Sequence, residues 1–378
     1  MKKLFFIAAI AGVALAGCTK NEPAPSVTDQ QAITFAAPVV GLNTKATNEV
    51  WNNYPTGTAY DFAVWAKYYV DPADVTNGTY STWTEGQTYM DKVTVSYSDN
   101  TWAPAQNYYW PKNGSLTFIA YAPAGKAEAA ATESGITFTD FEVTQTVSDQ
   151  VDLLFSERAY NKKAVDDNEV GSEGTGAEAG VTTDIYKGVH LSFKHALSSV
   201  AFTVKTLADY SGSTKITLNK IELLNVGSKA SFDQNLKDEN NAPTTAASWT
   251  AAAEPKNYLV DNSDNLNYVV DTEAYWTASR SKTAPAAADG LRATDFILLP
   301  QNLSGIKLKV TYTLANNGTG SEQLVQVIEK DLQTAAIGSW EMGKRYIYNI
   351  IIGLDTIYFE PYVAPWVDVP TDGQNFNF

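Results

Sequence analysis

An all-β protein is what the sequence predicts, arranged as two β-sandwich domains in tandem behind a secretion leader and a tether. Three observations predict it. Period-two alternation bounded by Gly, Pro, Asn and Asp recurs throughout the 378 residues, while helical periodicity is scarce. The composition, 44% hydrophobic and 12% aromatic with 21 Tyr and 9 Trp, supplies ample material for sheet cores. One long Gly-rich acidic stretch, from Arg158 to Gly188, lacks an apolar period and separates two halves of ordinary domain size.

The first element is a leader. Met1 to Gly17 carries two lysines, an apolar run from Leu4 to Leu15 too short to span a bilayer, and then small residues. Leu15-Ala16-Gly17-Cys18 resembles a bacterial lipobox, in which the cysteine is acylated and the chain is cut just before it. Cys18 is the only cysteine, so a mature body cannot form disulfides and must be stabilised by packing. Residues 18–31 are polar, proline-containing and aperiodic, as suits a tether. The expected product is a surface-exposed outer-membrane lipoprotein, held through lipid on Cys18.

The body follows in order. Strands are expected at Tyr60 to Tyr69, Ser115 to Ala122, Val189 to Lys205, Lys215 to Asn225, Ile306 to Leu314, Gln323 to Ile328 and Arg345 to Gly353. A short helix is allowed around Val151 to Ser156, and exposed loops are expected at Asp233 to Asn257 and Ser279 to Arg292. The linker places an N-terminal domain at 32–187 and a C-terminal domain at 188–378. A net charge of −15 without a basic cluster argues against nucleic acid or acidic membrane surfaces as partners.

Catalytic constellations are weak. Gly338 to Lys344 matches part of a phosphate-binding loop, but Arg345 stands where the hydroxyl belongs and a strand follows, so a turn is expected. His190 and His195 lie five apart on a strand and face opposite sides; His195 shares a face with Leu191 and Phe193 and reads as a satisfied core or edge residue. Asp261, Asp264, Asn265 and Asn267 offer oxygen ligands, yet the central glycine and twelfth-position glutamate of a calcium loop are missing. No serine elbow or paired metal histidines occur, so no enzyme, metal or cofactor is expected. Most tryptophans sit beside strand residues and read as core; Trp83 and Trp249, in loops, are candidates for an exposed partner contact.

The stretch QAITFAAPVVGLNTKAT, residues 31–47, carries the sharpest expectation. Ile33, Phe35, Ala37 and Val39 form one apolar face of a strand, and Pro38 suits an edge. A polar loop with Lys45 follows, the kind of segment that proteases cut. Cleavage between Lys45 and Ala46 would sever residues 32–45, tether and lipid from the body. The emptied groove would then favour a strand from another molecule, growing a fibre if the donor is an identical subunit. Val363, Pro365, Val367 and Val369 alternate near the other end of the chain and are candidate donors; they serve equally well as the final strand of the C-terminal domain.

The ordered set formed by the lipobox, AITFAAPVV before TKA, YYWP with LTFIAYAP, VDLLFS, LSFKHALSSVAFTVK, LLPQNLS, WEMGKRYIYNIII and IYFEPYVAPW resembles the fimbrillin-like pilin lipoproteins of Bacteroides and relatives. The resemblance implies two transthyretin-like β-sandwich domains, lipidation at Cys18, and removal of the first strand at Lys45-Ala46 by a trypsin-like or arginine-specific protease. It also implies strand exchange with other pilin subunits, in a homo- or hetero-polymer, and a fimbrium after processing that supports adhesion and colonisation. Lysine in place of arginine departs from a strictly arginine-specific site; retention of the strand would suit an anchor subunit. The alternative is a monomeric outer-membrane lipoprotein that binds glycans.

Overall fold

The computed structural model describes residues 27–36, 38–40, 61–70, 83–99, 101–163, 188–236, 247–260, 266–277, 295–316, 323–354 and 357–365. Cys18, Ala37, Lys45, Ala46, Asp261, Asp264, Asn265, Val367 and Val369 lie outside them. The described residues form strands β1 (Val27–Ala32), β2 (Val39–Val40), β3 (Phe62–Tyr69), β4 (Gln87–Ser98), β5 (Thr101–Pro104), β6 (Tyr109–Pro111), β7 (Ser115–Ala122), β8 (Glu128–Thr132), β9 (Gly135–Glu142), β10 (Leu154–Ser156), β11 (Ala159–Lys162) and β12 (Ser192–His195). They continue with β13 (Ser198–Thr206), β14 (Thr214–Asp233), β15 (Ser248–Trp249), β16 (Ala253–Leu259), β17 (Tyr268–Val270), β18 (Tyr275–Trp276), β19 (Phe296–Leu298), β20 (Gln301–Asn302), β21 (Lys307–Asn316), β22 (Gln323–Asp331), β23 (Ser339–Trp340), β24 (Lys344–Ile352) and β25 (Ile357–Pro365). Helix is confined among them to 3₁₀ geometry, at Trp83–Glu85, at Val147–Asp149 and at Val260. The all-β expectation holds; the short helix allowed near Val151 is instead β10, preceded by one of those turns.

One sheet carries the N-terminal strands in the order β2-β12-β10-β7-β3-β4-β5. Its central strands β3 and β7 are buried on both faces, which explains their almost unbroken apolar sequences FAVWAKYY and SLTFIAYA. Phe62, Val64, Ala66, Leu116, Phe118 and Ala120 point into a core of their own. Ala63, Trp65, Ile119 and Tyr121 point the other way, into a larger core shared with the C-terminal strands.

A second sheet, β22-β21-β14-β9-β8, is built on the 20-residue β14. Near its C-terminal end Phe232 meets Phe138 at 5.2 Å and Phe155 at 4.9 Å between ring centroids, covering the N-terminal sheet. Toward its N-terminal end Ile216, Leu218, Ile221 and Leu223 belong to the same core as Val200, Phe202, Val204, Tyr348 and Ile350 of a third sheet, β18-β13-β24-β25. The apolar positions of β14 change parity twice, between Leu218 and Ile221 and between Leu223 and Val226. Each change falls at a bulge, the second containing Asn225 at φ +63°. A bulge inserts one residue, so it restores the inward face after the alternation slips.

Two expectations change. Val189 to Lys205 is not one strand: the chain turns at the fully buried Ala196 and Leu197, so β12 pairs with β10 while β13 passes to the third sheet. The stretch Asp233 to Asn257 is not all loop, because β15 and β16 pair with β14. Its low hydrophobicity reflects charges spent on ion pairs, Lys256 with Glu142 and Glu254 with Lys229.

Candidate functional site: a groove filled by the N-terminal segment

Preceded by β1, residues 33–36 and 38–40 lie in a groove of the N-terminal sheet. β1 runs antiparallel to β6, which extends strand structure back to Val27, inside the stretch expected as tether. The backbone then runs between β5 and the residues leading into β12. Ile33 N–H donates to the Tyr108 carbonyl at 2.7 Å, and Phe35 N–H to the Trp102 carbonyl at 2.9 Å. On the other side Val189 N–H donates to Thr34 at 2.9 Å and Ala36 N–H to Val189 at 3.0 Å. Phe35 therefore bridges Trp102 antiparallel and Val189 in parallel. β2 finishes the segment as a parallel partner of Ser192 and Phe193.

Side chains hold this backbone in place. Ile33 and Phe35 are 1% and 3% exposed, as the period-two reading requires of one face. The Phe35 ring stands edge-on to Phe62 at 5.3 Å and Phe118 at 5.8 Å, the favoured geometry for aromatic pairs. Trp102, Trp110, Leu191 and Phe193 complete the pocket. Ala36 and Pro38 are also buried, so the alternate face is covered rather than solvated.

Gly188 marks how closely the two backbones approach. It sits at φ +98°, and a Cβ there would lie 2.3 Å from the Phe35 carbonyl carbon and 2.6 Å from the Ala36 nitrogen. Only glycine fits both the left-handed conformation and the contact. No signal in the sequence pairs residue 188 with residue 35, although Gly188 closes the stretch expected as a linker.

The other candidates take structural places. His195 and Asp152 form a buried pair, Nδ1 to Oδ2 at 2.9 Å, at the junction of β10 and β12; His190 is exposed, so the two histidines do diverge. The Gly338 to Lys344 segment holds β23 and the turn into β24, with Gly343 at φ +66° and its N–H donating to the Leu197 carbonyl. Trp83 is 4% exposed, with the Arg158 guanidinium 5.0 Å above its ring, and Trp249 is half-buried, donating to the Ala196 carbonyl. Neither offers the free surface expected of a partner contact; each fills a gap between sheets that local sequence cannot reveal. Among the described residues no group of three or more His, Cys, Asp or Glu could hold a metal ion, and no helix is long and apolar enough to cross a membrane.

At the other end, Val363 and Pro365 lie in β25, paired with Tyr346 and Lys344 of β24 at the edge of the third sheet. Val363 is 46% exposed.

An all-β body in which a buried N-terminal segment bridges two sheet edges defines the class, a sandwich protein completed by its own N-terminal strand. A fimbrillin-like family profile matches residues 44–366, beginning just after that segment, and the chain belongs to this family. A fimbrial protein of Bacteroides vulgatus shares the fold with a TM-score of 0.56 at 16% identity, over 89% of this chain and all of the other. Looser likenesses, which carry no argument, include a candidate cell adhesion protein of Bacteroides uniformis (TM-score 0.44, 16% identity, 81% and 91% covered) and a C-terminally truncated tip fimbrial protein of Porphyromonas gingivalis (0.33, 9%, 82% and 95%). A search of curated proteins finds no match.

Proposed function

We propose that the protein is a non-enzymatic structural subunit of a surface pilus, exported as an outer-membrane lipoprotein through Cys18 and assembled by strand exchange to support adhesion. Membership of the fimbrillin-like family supports the pilus and surface reading. On this reading residues 32–187 and 188–378 form tandem transthyretin-like domains, with β12 pairing back to β10 and β9 pairing forward to β14 across that division.

The observation that carries the mechanism is the groove. Withdrawing residues 33–36 would leave the Tyr108, Trp102 and Val189 carbonyls and the Val189 N–H without their backbone partners, beside an apolar slot that held Ile33 and Phe35. Both losses cost free energy until a strand refills the site. A trypsin-like protease cutting between Lys45 and Ala46 would release the segment, and a strand of a neighbouring subunit would enter. Val363 and Pro365 are engaged with β24 in their own chain, so donation from this end would draw on Val367 and Val369 or would require β25 to peel away.

The test is to purify the protein from the cell surface and determine its mature N-terminus while running it unboiled on a gel. The reading predicts a start at Ala46 and a ladder of multimers. An acylated Cys18 on a monomer would overturn the exchange mechanism and point to a retained strand. Lys45→Ala is expected to fold normally and fail to polymerise.

A further inference from the structure

We propose that β22 is a self-association edge, pairing antiparallel with β22 of a second copy about a two-fold axis through Gln326. The strand ends the second sheet, bonded to β21 on one side, and no strand among the described residues occupies its other side. Of the ten exposed large hydrophobics among the described residues, three are consecutive or nearly so here: Leu324, Val325 and Val327, at 57%, 58% and 54%.

Sheet edges are ordinarily guarded against pairing by prolines, charges or shortness. β25, the edge strand of the neighbouring sheet, carries Glu360, Pro361 and Pro365. β22 carries no proline, and its residues Leu324 to Ile328 carry no charge. Among the described residues, β25 carries such guards along its length, whereas on β22 they begin only at Glu329.

The occupant is indicated by the sequence of the strand itself. Gln323-Leu-Val-Gln-Val-Ile-Glu329 is chemically palindromic about Gln326. Antiparallel pairing there sets Val325 against the partner's Val327, Leu324 against the partner's Ile328, and Gln323 against the partner's Glu329. Ile328 lies opposite Val310 and packs on the core, so Leu324 and Ile328 share the inward side while Val325 and Val327 share the outward side. Four valines would then cluster on the outer face, and the half-buried Ile328 would gain the partner's Leu324 as cover. Centring on Val327 instead would oppose Leu324 to Lys330 and Val325 to Glu329, and centring on Val325 would oppose Val327 to Gln323. Only the Gln326 axis matches like with like and puts no like charges together. Such a contact is isologous and closes at two copies, unlike head-to-tail strand exchange, which continues.

The test uses the secreted chain carrying Cys18→Ala and Lys45→Ala, which removes both lipid and the candidate cleavage site, so any association is independent of pilus assembly. Sedimentation equilibrium over a concentration series is expected to show a monomer–dimer equilibrium. Val325→Lys with Val327→Lys should weaken it at least about tenfold with an unchanged circular dichroism spectrum. In the same background Gln326→Cys should form a disulfide dimer on mild oxidation, while Leu207→Cys, also exposed but remote in sequence, should not. A chain monomeric at every concentration would overturn the proposal. So would dimerisation that ignores the lysine pair, or equal cross-linking at positions 326 and 207.

Discussion

The N-terminal segment and β25 both complete a sheet, and they do so by opposite means. β25 makes nine successive residue pairs with β24, yet Tyr358, Tyr362 and Val363 are 49%, 41% and 46% exposed. Among its described residues the segment at 33–40 makes four isolated backbone hydrogen bonds and one two-residue ladder, yet buries Ile33 and Phe35 almost completely. A strand held by its ladder peels residue by residue, because each bond is worth only about 0.5–1.5 kcal/mol net. A strand held by two deep side chains stays until both leave together. The second behaviour suits an element that must remain seated during export and depart in one step after a cut.

The comparison breaks most sharply at Phe35. Phe35→Ala is expected to cost about 3–5 kcal/mol in urea denaturation, since the ring fills a pocket between Phe62 and Phe118. Gly188→Ala should cost about 1–3 kcal/mol for its positive φ alone, plus displacement of the segment, seen as faster proteolysis of the N-terminal peptide. In a chain already cut and emptied, the displacement part should vanish. Within the C-terminal core Tyr348→Phe leaves the buried Trp340 indole N–H without its 2.9 Å acceptor and should lower stability by about 1–3 kcal/mol. Tyr362→Ala on β25 should change stability by less than about 1 kcal/mol.

Alkali offers a further test. Burial raises the phenols of Tyr258, Tyr346 and Tyr348 above their usual 10, and that of Tyr69 to about 12. The folded state therefore keeps protons that the unfolded state loses. Stability is fully present below pH 10 and falls as pH rises above it. Tyr69 lies on β3 and Tyr346 and Tyr348 on β24, so both sheets should lose stability above pH 10, measured by tyrosinate absorbance set against urea denaturation.

Much of this was legible because alternation survives wherever one face is buried. Ile33 and Phe35 could be placed on a common inward face from period two alone, and β3, β7, β21, β22 and β24 fall within a few residues of their expected spans. What escaped depends on contacts far apart in sequence. The crossing at Ala196-Leu197 looks like uninterrupted strand, because both of its sides are apolar. β14 seems to end at Asn225 because a bulge there shifts the alternation, yet the strand runs on to Asp233. Gly188 reads as part of a linker until Phe35 is beside it, and Trp83 reads as exposed until Arg158 covers it.

The central claim is that the N-terminal segment is a removable strand whose loss makes the groove take up another. It is tested most directly by treating the purified lipid-free chain with trypsin under conditions that cut after Lys45, then following its mass on unboiled gels with and without a synthetic peptide of residues 27–40. Cleaved chains are expected to form a ladder that the peptide suppresses by refilling the groove. A chain that is cut, releases its N-terminal segment and remains a stable monomer indifferent to the peptide would contradict it.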